Sequence, residues 1–139
     1  MKNRSGLLAL VLSIGLMVAS CSDDNEGETL APLTAKWNIT KVGTTVNGQE
    51  ILIDAPQNAA GCSKDYLDLN VDNTASKGDY DSTVSACALS ISTGIYSRSH
   101  NNVTTVIAGV TKVQDIVNLT LTELKLKDAN GVIEVYEKN

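Results

Sequence analysis

Short alternating apolar segments, separated by turn signals, are the feature that most constrains the fold of this chain. The clearest segment places Leu67, Leu69 and Val71 on one face and polar residues on the other. Similar segments recur between residues 36 and 137, and Asn-Gly pairs such as residues 47–48 are typical of hairpin turns. Because no segment has a sustained helical period, the pattern predicts an all-β domain, either an antiparallel barrel or a sandwich, with eight or nine short strands.

The connections between these strands are predicted from their polar and turn-forming residues. Residues 56–64, which contain Pro and Gly, and the polar residues 72–81 are both expected to be loops. Residues 93–94, Thr-Gly, are expected to form a turn between two short strands. The phase of the apolar residues changes after Leu121, which predicts a bulge or tight turn near residues 122–123.

The N-terminal segment has the pattern of a secretion signal. Lys2 and Arg4 precede an uncharged apolar run at residues 7–19, which is shorter than the ~20 residues of a membrane span. Small residues then precede Cys21. This segment resembles the lipobox of bacterial lipoproteins, and the resemblance implies cleavage between Ser20 and Cys21 with acyl chains on Cys21. The alternative is an ordinary cleaved signal with an incidental cysteine.

These features predict three parts: a signal peptide at residues 1–20, a lipidated N-terminus with a flexible acidic tether at 21–33, and the folded domain at 34–139. Two or three acyl chains hold a protein firmly on a bilayer, so a membrane is an expected partner. Residues 22–24, Ser-Asp-Asp, resemble the surface-export signal of Bacteroidetes lipoproteins, which implies an outer-membrane lipoprotein exposed on the cell surface. The alternative is a plain soluble spacer.

The charge balance argues against nucleic acid as a partner. The chain has 11 basic and 16 acidic residues, a formal charge of −5. Removal of the predicted signal peptide takes away two basic residues and no acidic one, so the mature chain is more acidic still. An acidic surface repels phosphate backbones. We therefore expect no nucleic-acid binding, and membrane attachment must come from the acyl chains.

The remaining cysteines predict a disulfide bond. Lipidation of Cys21 leaves Cys62 and Cys87, an even number in an exported chain. The alternative is two free thiols or a metal site. A metal site is not expected, because the sequence has no Cys-x-x-Cys motif and His100 is its single histidine.

Three stretches of the predicted domain, residues 35–42, 62–69 and 119–136, together resemble the lipocalin-like lipoprotein domains of Bacteroidetes. The resemblance implies an up-and-down antiparallel β-barrel of about eight strands. It also implies that Trp37, on the first strand, packs the closed end of that barrel.

Five apolar residues are the candidates for the barrel interior or for the lining of a ligand cavity: Trp37, Ile39, Leu67, Leu69 and Val71. Such a lining suits a small apolar ligand, and it suits a dry packed core equally well. No catalytic residues are expected, because there is one histidine and no Gly-x-Ser-x-Gly motif. We therefore expect neither an enzyme nor a bound cofactor.

Two functions follow from these expectations. The first is a membrane-anchored cell-envelope lipoprotein whose lipocalin-like domain binds a small apolar ligand. The alternative is a protein-binding module, either an accessory subunit of an envelope complex or an inhibitor of a foreign enzyme, that uses residues 56–64 and 72–81 as binding loops. Cavity volume separates them, because a ligand pocket is expected to reach ~300 Å³ and open to solvent.

Overall fold

Nine antiparallel strands form a closed barrel in the computed structural model, which describes residues 31–83 and 85–139. The strands are β1 (Ala35–Val46), β2 (Gln49–Asp54), β3 (Tyr66–Leu69), β4 (Thr74–Asp81), β5 (Ala88–Ser99), β6 (Asn102–Ile107), β7 (Val110–Leu119), β8 (Glu123–Asp128) and β9 (Val132–Lys138). From β3 onwards each strand pairs with the next, and β9 returns to pair with β1. The predicted all-β, up-and-down barrel is confirmed.

The barrel has eight strand positions because β2 and β3 share one of them. Both pair with the same edge of β1: β3 with residues 35–38 and β2 with residues 41–46. Strand β9 occupies the opposite edge. Residues 55–65 therefore interrupt what would otherwise be a single long strand, and they leave a break in the barrel wall between β2 and β4.

A disulfide bond joins the inserted segment to the barrel. Cys62, within residues 55–65, is bonded to Cys87, which directly precedes β5, and their Cα atoms are 5.4 Å apart. The predicted pairing is confirmed. In the chain-entropy model a cross-link of this span contributes ~3 kcal/mol to stability. It also holds the segment beside the break in the wall.

One end of the barrel, which we call the closed end, is filled by large apolar side chains. Trp37 is fully buried there beside Leu69 and Leu124, and its Nε1 donates a 2.7 Å hydrogen bond to the Leu33 carbonyl. Leu33 and Ala31 are themselves buried, although sequence analysis assigned both to the flexible tether. The packed part of the chain therefore begins before residue 34.

The structure differs from the sequence prediction at Val71. Strand β3 ends at Leu69, and Val71 lies in the turn to β4 with 88% of its surface exposed. The Asp72 side chain accepts hydrogen bonds from the backbone N–H and the hydroxyl of Thr74, which closes this turn. Alternation therefore stops two residues earlier than the sequence pattern indicated, and Val71 lies outside the barrel.

Two segments that the sequence predicted to be connections lie in strands of the structure. Residues 74–81 form β4, whose inward positions include Lys77 and Asp79 rather than apolar residues, so that the usual strand pattern is absent. Gly94 lies inside the continuous strand β5 and not in a turn. A Cβ atom there would lie 1.8 Å from the Val106 carbonyl oxygen, so glycine is required for β6 to pair closely. The turn predicted near residues 122–123 is present between β7 and β8.

The signal peptide, the cleavage site and Cys21 lie outside the described residues. Across the two described ranges, no helix has the length and apolar character that a membrane crossing requires.

Leu69 and Val71 provide a matched test of this fold. We expect Leu69→Ala to lower the free energy of unfolding by about 2–5 kcal/mol, because it leaves a cavity in the closed end. Val71→Ala should change it by less than about 0.5 kcal/mol, because the side chain is in solvent. Urea denaturation measures both changes. Equal losses in the two variants would contradict the end of β3 at Leu69.

Candidate binding cavity

A cavity of about 340 Å³ occupies the half of the barrel opposite the closed end. We call this half the open end; the β1–β2, β6–β7 and β8–β9 turns surround it. Side chains of β1, of strands β3 to β7 and of β9 line the cavity, together with residues of the 55–65 segment. Its volume exceeds the ~300 Å³ expected of a small-molecule pocket.

Strand register fixes the depth of each lining residue. Residues directly opposite on antiparallel strands share a face, and β6 and β7 contribute the successive inward pairs Ile107–Val110, Thr105–Lys112 and Val103–Gln114. The first pair lies at the open end, and Val103 of the third is fully buried in the core. Lys112 therefore lies halfway into the cavity, and Gln114 lies at its base.

A carboxylate with three side-chain partners dominates one wall. Glu134 of β9 accepts hydrogen bonds from Lys112 Nζ at 2.8 Å to each of its oxygens. Its Oε2 also accepts from Gln114 Nε2 at 2.8 Å and from the Tyr136 hydroxyl at 3.1 Å. Three side chains on two strands are thus held in place by one acid, which makes this wall polar and ordered.

The environment shifts the pKa of both acids in this network. Burial acts to raise the pKa of Glu134, but the hydrogen bonds from Lys112 and Gln114, and the charge of Lys112, together lower it below its ordinary value. Burial raises the pKa of Tyr136 well above its ordinary value, and the neighbouring Glu134 charge adds to that shift. The ionised Glu134 and the neutral Tyr136 hydroxyl are therefore the stable forms at neutral pH.

Asp65 connects the strands on the two sides of the break in the barrel wall through hydrogen bonds. Its Oδ1 accepts a 2.8 Å hydrogen bond from the Tyr80 N–H of β4, and its backbone oxygen accepts one of 2.9 Å from the Ile39 N–H of β1. The Asp65 N–H donates to Asn58 Oδ1 at 2.9 Å. This segment thus supplies the bonds that a continuous strand would have made.

The second carboxylate oxygen of Asp65, Oδ2, takes no part in these hydrogen bonds. Asp65 is 2% exposed and lines the cavity, and its Oδ2 is the one buried side-chain oxygen or nitrogen without a hydrogen-bond partner in the described part of the chain. Burial raises the pKa of Asp65, the Tyr80 N–H opposes that rise, Asp79 adds to it and Lys77 opposes it. An acceptor without a partner in a cavity wall is a place where a ligand can donate a hydrogen bond.

The apolar residues predicted for the interior fall into three groups. Ile39 and Leu67 line the cavity. Trp37 and Leu69 belong to the packed core at the closed end, and Val71 lies outside the barrel. Two of the five predicted residues therefore line the cavity, two pack in the core and one lies outside the barrel.

The polar side of the cavity was not predicted from the sequence; its residues are Asp65, Lys112, Gln114, Glu134 and Tyr136. Lys112 and Gln114 alternate along β7 and share its inward face with Val110. This period-two spacing was the available signal, but polar residues at such positions are normally assigned to the solvent face.

In residues 31–83 and 85–139 there is no group of three or more His, Cys, Asp or Glu side chains with the geometry to hold a metal ion.

A closed eight-position antiparallel barrel with an internal cavity at one end defines the class of lipocalin-like domains. The sequence matches the family profile of the lipocalin-like domain over residues 33–126, more than half of the chain. This chain therefore belongs to the lipocalin-like domain family, whose members generally bind small hydrophobic ligands and typically serve as binding proteins rather than enzymes.

Two solved structures share this fold. An uncharacterized protein from Bacteroides eggerthii matches with a TM-score of 0.58 and 9% sequence identity, over 78% of this chain and 100% of that one. A lipocalin-like protein from Bacteroides uniformis matches with a TM-score of 0.58 and 12% identity, over 77% of this chain and 98% of that one. No curated protein matches the sequence significantly.

Asp65 and Glu134 should affect stability with opposite pH dependence. As the pH falls from the raised pKa of folded Asp65 towards the unfolded value of about 3.9, the free energy of unfolding of wild type should rise relative to that of Asp65→Asn. The reason is that Asp65 binds its proton more tightly in the folded state than in the unfolded state. As the pH falls from the unfolded Glu pKa of about 4.3 through the lowered pKa of folded Glu134, the free energy of unfolding of wild type should fall relative to that of Glu134→Gln. Urea denaturation across this range measures both differences, and two flat profiles would contradict the assignment.

Proposed function

We propose that this protein is a membrane-anchored cell-envelope lipoprotein whose barrel binds a small, partly apolar molecule. The observation that carries the proposal is the cavity of about 340 Å³, which opens to solvent at one end of a barrel that is otherwise filled. Ile39, Leu67 and Ile107 give this cavity apolar surface. Family membership supports the same function, since lipocalin-like domains generally bind small hydrophobic ligands.

The predicted anchor is compatible with the position of the cavity. The described chain begins at Ala31, and Leu33 packs under Trp37 at the closed end. An acylated Cys21 would therefore attach to the end of the barrel opposite the cavity. In this arrangement the cavity opens away from the membrane, towards solvent, where a water-soluble or released ligand can enter. The proposed site of action is the outer membrane, with the domain on the cell surface.

The outer face of β5 favours a second function, binding to another envelope protein. Leu89, Ile91 and Ile95 share this face, and all three are exposed. Of the two predicted binding loops, residues 72–81 are largely a strand, whereas residues 56–64 remain a loop. A pull-down from envelope extract that recovers the same stable partner with wild type, but not with Ile91→Ser, would support this function.

Retention of a small molecule tests the first function. We expect the purified protein, soaked with a bacterial lipid extract and washed, to retain a small molecule that mass spectrometry detects. Ile107→Trp should reduce retention at least tenfold, because the ring fills the cavity. Val106→Trp is the matched control, since its side chain points to the outer face. Retention of nothing by wild type, or equal retention by Ile107→Trp, would contradict ligand binding in the barrel.

Intact-mass measurement tests the anchor. Expression of the full chain in a bacterial host should yield a product that lacks residues 1–20 and carries the added mass of two or three acyl chains on Cys21. Cys21→Ser should remain uncleaved, because the lipobox pathway requires the thiol. A native product with an unmodified Cys21 thiol would contradict the lipoprotein assignment.

A further inference from the structure

The charged side chains that line the cavity balance one another. They are two acids, Asp65 and Glu134, and two bases, Lys77 and Lys112. Lys112 is bonded directly to Glu134, and the positive charge of Lys77 acts on Asp65. With all four groups ionised, the wall has a formal charge of zero. A charged ligand would therefore bring an unbalanced charge into a partly desolvated site, which is costly.

The wall nevertheless requires a hydrogen-bond donor. Asp65 lines the cavity, and its Oδ2 is buried without a hydrogen-bond partner. Lys77, on the neighbouring strand β4, forms no ion pair among the described residues, so its ammonium group can donate hydrogen bonds to a ligand. A hydroxyl group can donate to Asp65 Oδ2 and accept from a cation at the same time. An uncharged hydroxyl suits both partners.

The entrance to the cavity has the opposite character. Strand register places Ile51 opposite Thr44, and Ile53 opposite Val42, on the inward face of the barrel. Val132 and Val110 lie at the same end. These four side chains are exposed, from 41% for Val132 to 69% for Val110. The polar groups thus lie inside the cavity, and the exposed apolar groups surround its entrance.

We propose that the cavity binds an uncharged amphipathic molecule, with its hydroxyl-bearing end on Asp65 and its apolar end against Ile51, Ile53, Val110 and Val132. This inference rests on the proposed function as a small-molecule-binding barrel and adds the chemical class and the orientation of the ligand. It differs from the sequence expectation of an apolar ligand in an apolar interior, because charge-balanced polar side chains lie beside the apolar lining of the cavity.

Three probes that share a six-carbon chain test the class of ligand: 1,2-hexanediol, hexanoate and hexylammonium. Titration calorimetry at pH 8, with the full-length protein as its bacterial host processes it, gives the three affinities. We expect the diol to bind at least tenfold more tightly than either ion. Equal or tighter binding of hexanoate or hexylammonium would overturn the inference and leave the proposed function standing.

Two near-isosteric variants change the charge of the wall by one unit in opposite directions. Asp65→Asn keeps an oxygen for the Tyr80 N–H and makes the wall positive, so the affinity ratio of hexanoate to diol should rise at least tenfold. Lys112→Gln makes the wall negative, so the ratio of hexylammonium to diol should rise at least tenfold. If a thermal melt shows that one variant does not fold, the other variant still tests the inference. An unchanged ratio of ion affinity to diol affinity in a folded variant would overturn it.

A second pair of variants tests the orientation. Ile53→Ser should weaken binding of 1,2-hexanediol at least fivefold, because it removes apolar surface at the entrance. Val71→Ser is the control, since Val71 is also an exposed apolar residue but lies at the closed end, and it should leave that affinity unchanged. Equal affinities for both variants would overturn the orientation. Failure of all three probes would overturn the inference, whereas the lipid-extract experiment separately decides the proposed function.

Discussion

Pairing of β9 with β1 is the interaction on which the rest of this structure depends. It joins the two ends of the described sheet and turns it into a barrel, so that alternate residues of every strand face one interior. An eight-position barrel is just wide enough for its own side chains to fill. Trp37, Leu124 and Leu126 fill it at the closed end. Residues 55–65, which interrupt one strand position, contribute Gln57 and Asp65 to the lining of the space at the other end.

That interruption explains why Asp65 lies inside the barrel. Where β2 and β3 fail to form one continuous strand, the backbone of β4 needs another acceptor, and Asp65 provides it to the Tyr80 N–H. Once an acid is buried there, a nearby cation such as Lys77 reduces its cost. On another part of the wall, Lys112 and Glu134 form an ion pair. This pair is only partly buried, with the Lys112 side chain 40% exposed, so the cost of removing its charges from water is smaller than for a fully buried pair.

Much of the fold was predictable because strand alternation and turn chemistry are local. The disulfide partners, the turn between β7 and β8, and the burial of Trp37 and Leu69 all agree with the sequence. Strand β4 was not predicted, because Ala75 is the only apolar residue among its inward positions and Lys77 follows it. Val71 was assigned to the interior because its alternation with Leu69 continues past the end of β3, where the turn closed by Asp72 takes over.

By itself, the sequence determined an all-β domain with a cross-link between Cys62 and Cys87, because side-chain periodicity and cysteine number depend on nearby residues or on composition. Only the tertiary structure decided that Asp65, Lys112 and Glu134 line one cavity. The physical reason is that their meeting depends on strand register across the closed sheet and on the break between β2 and β3, which local pattern does not specify.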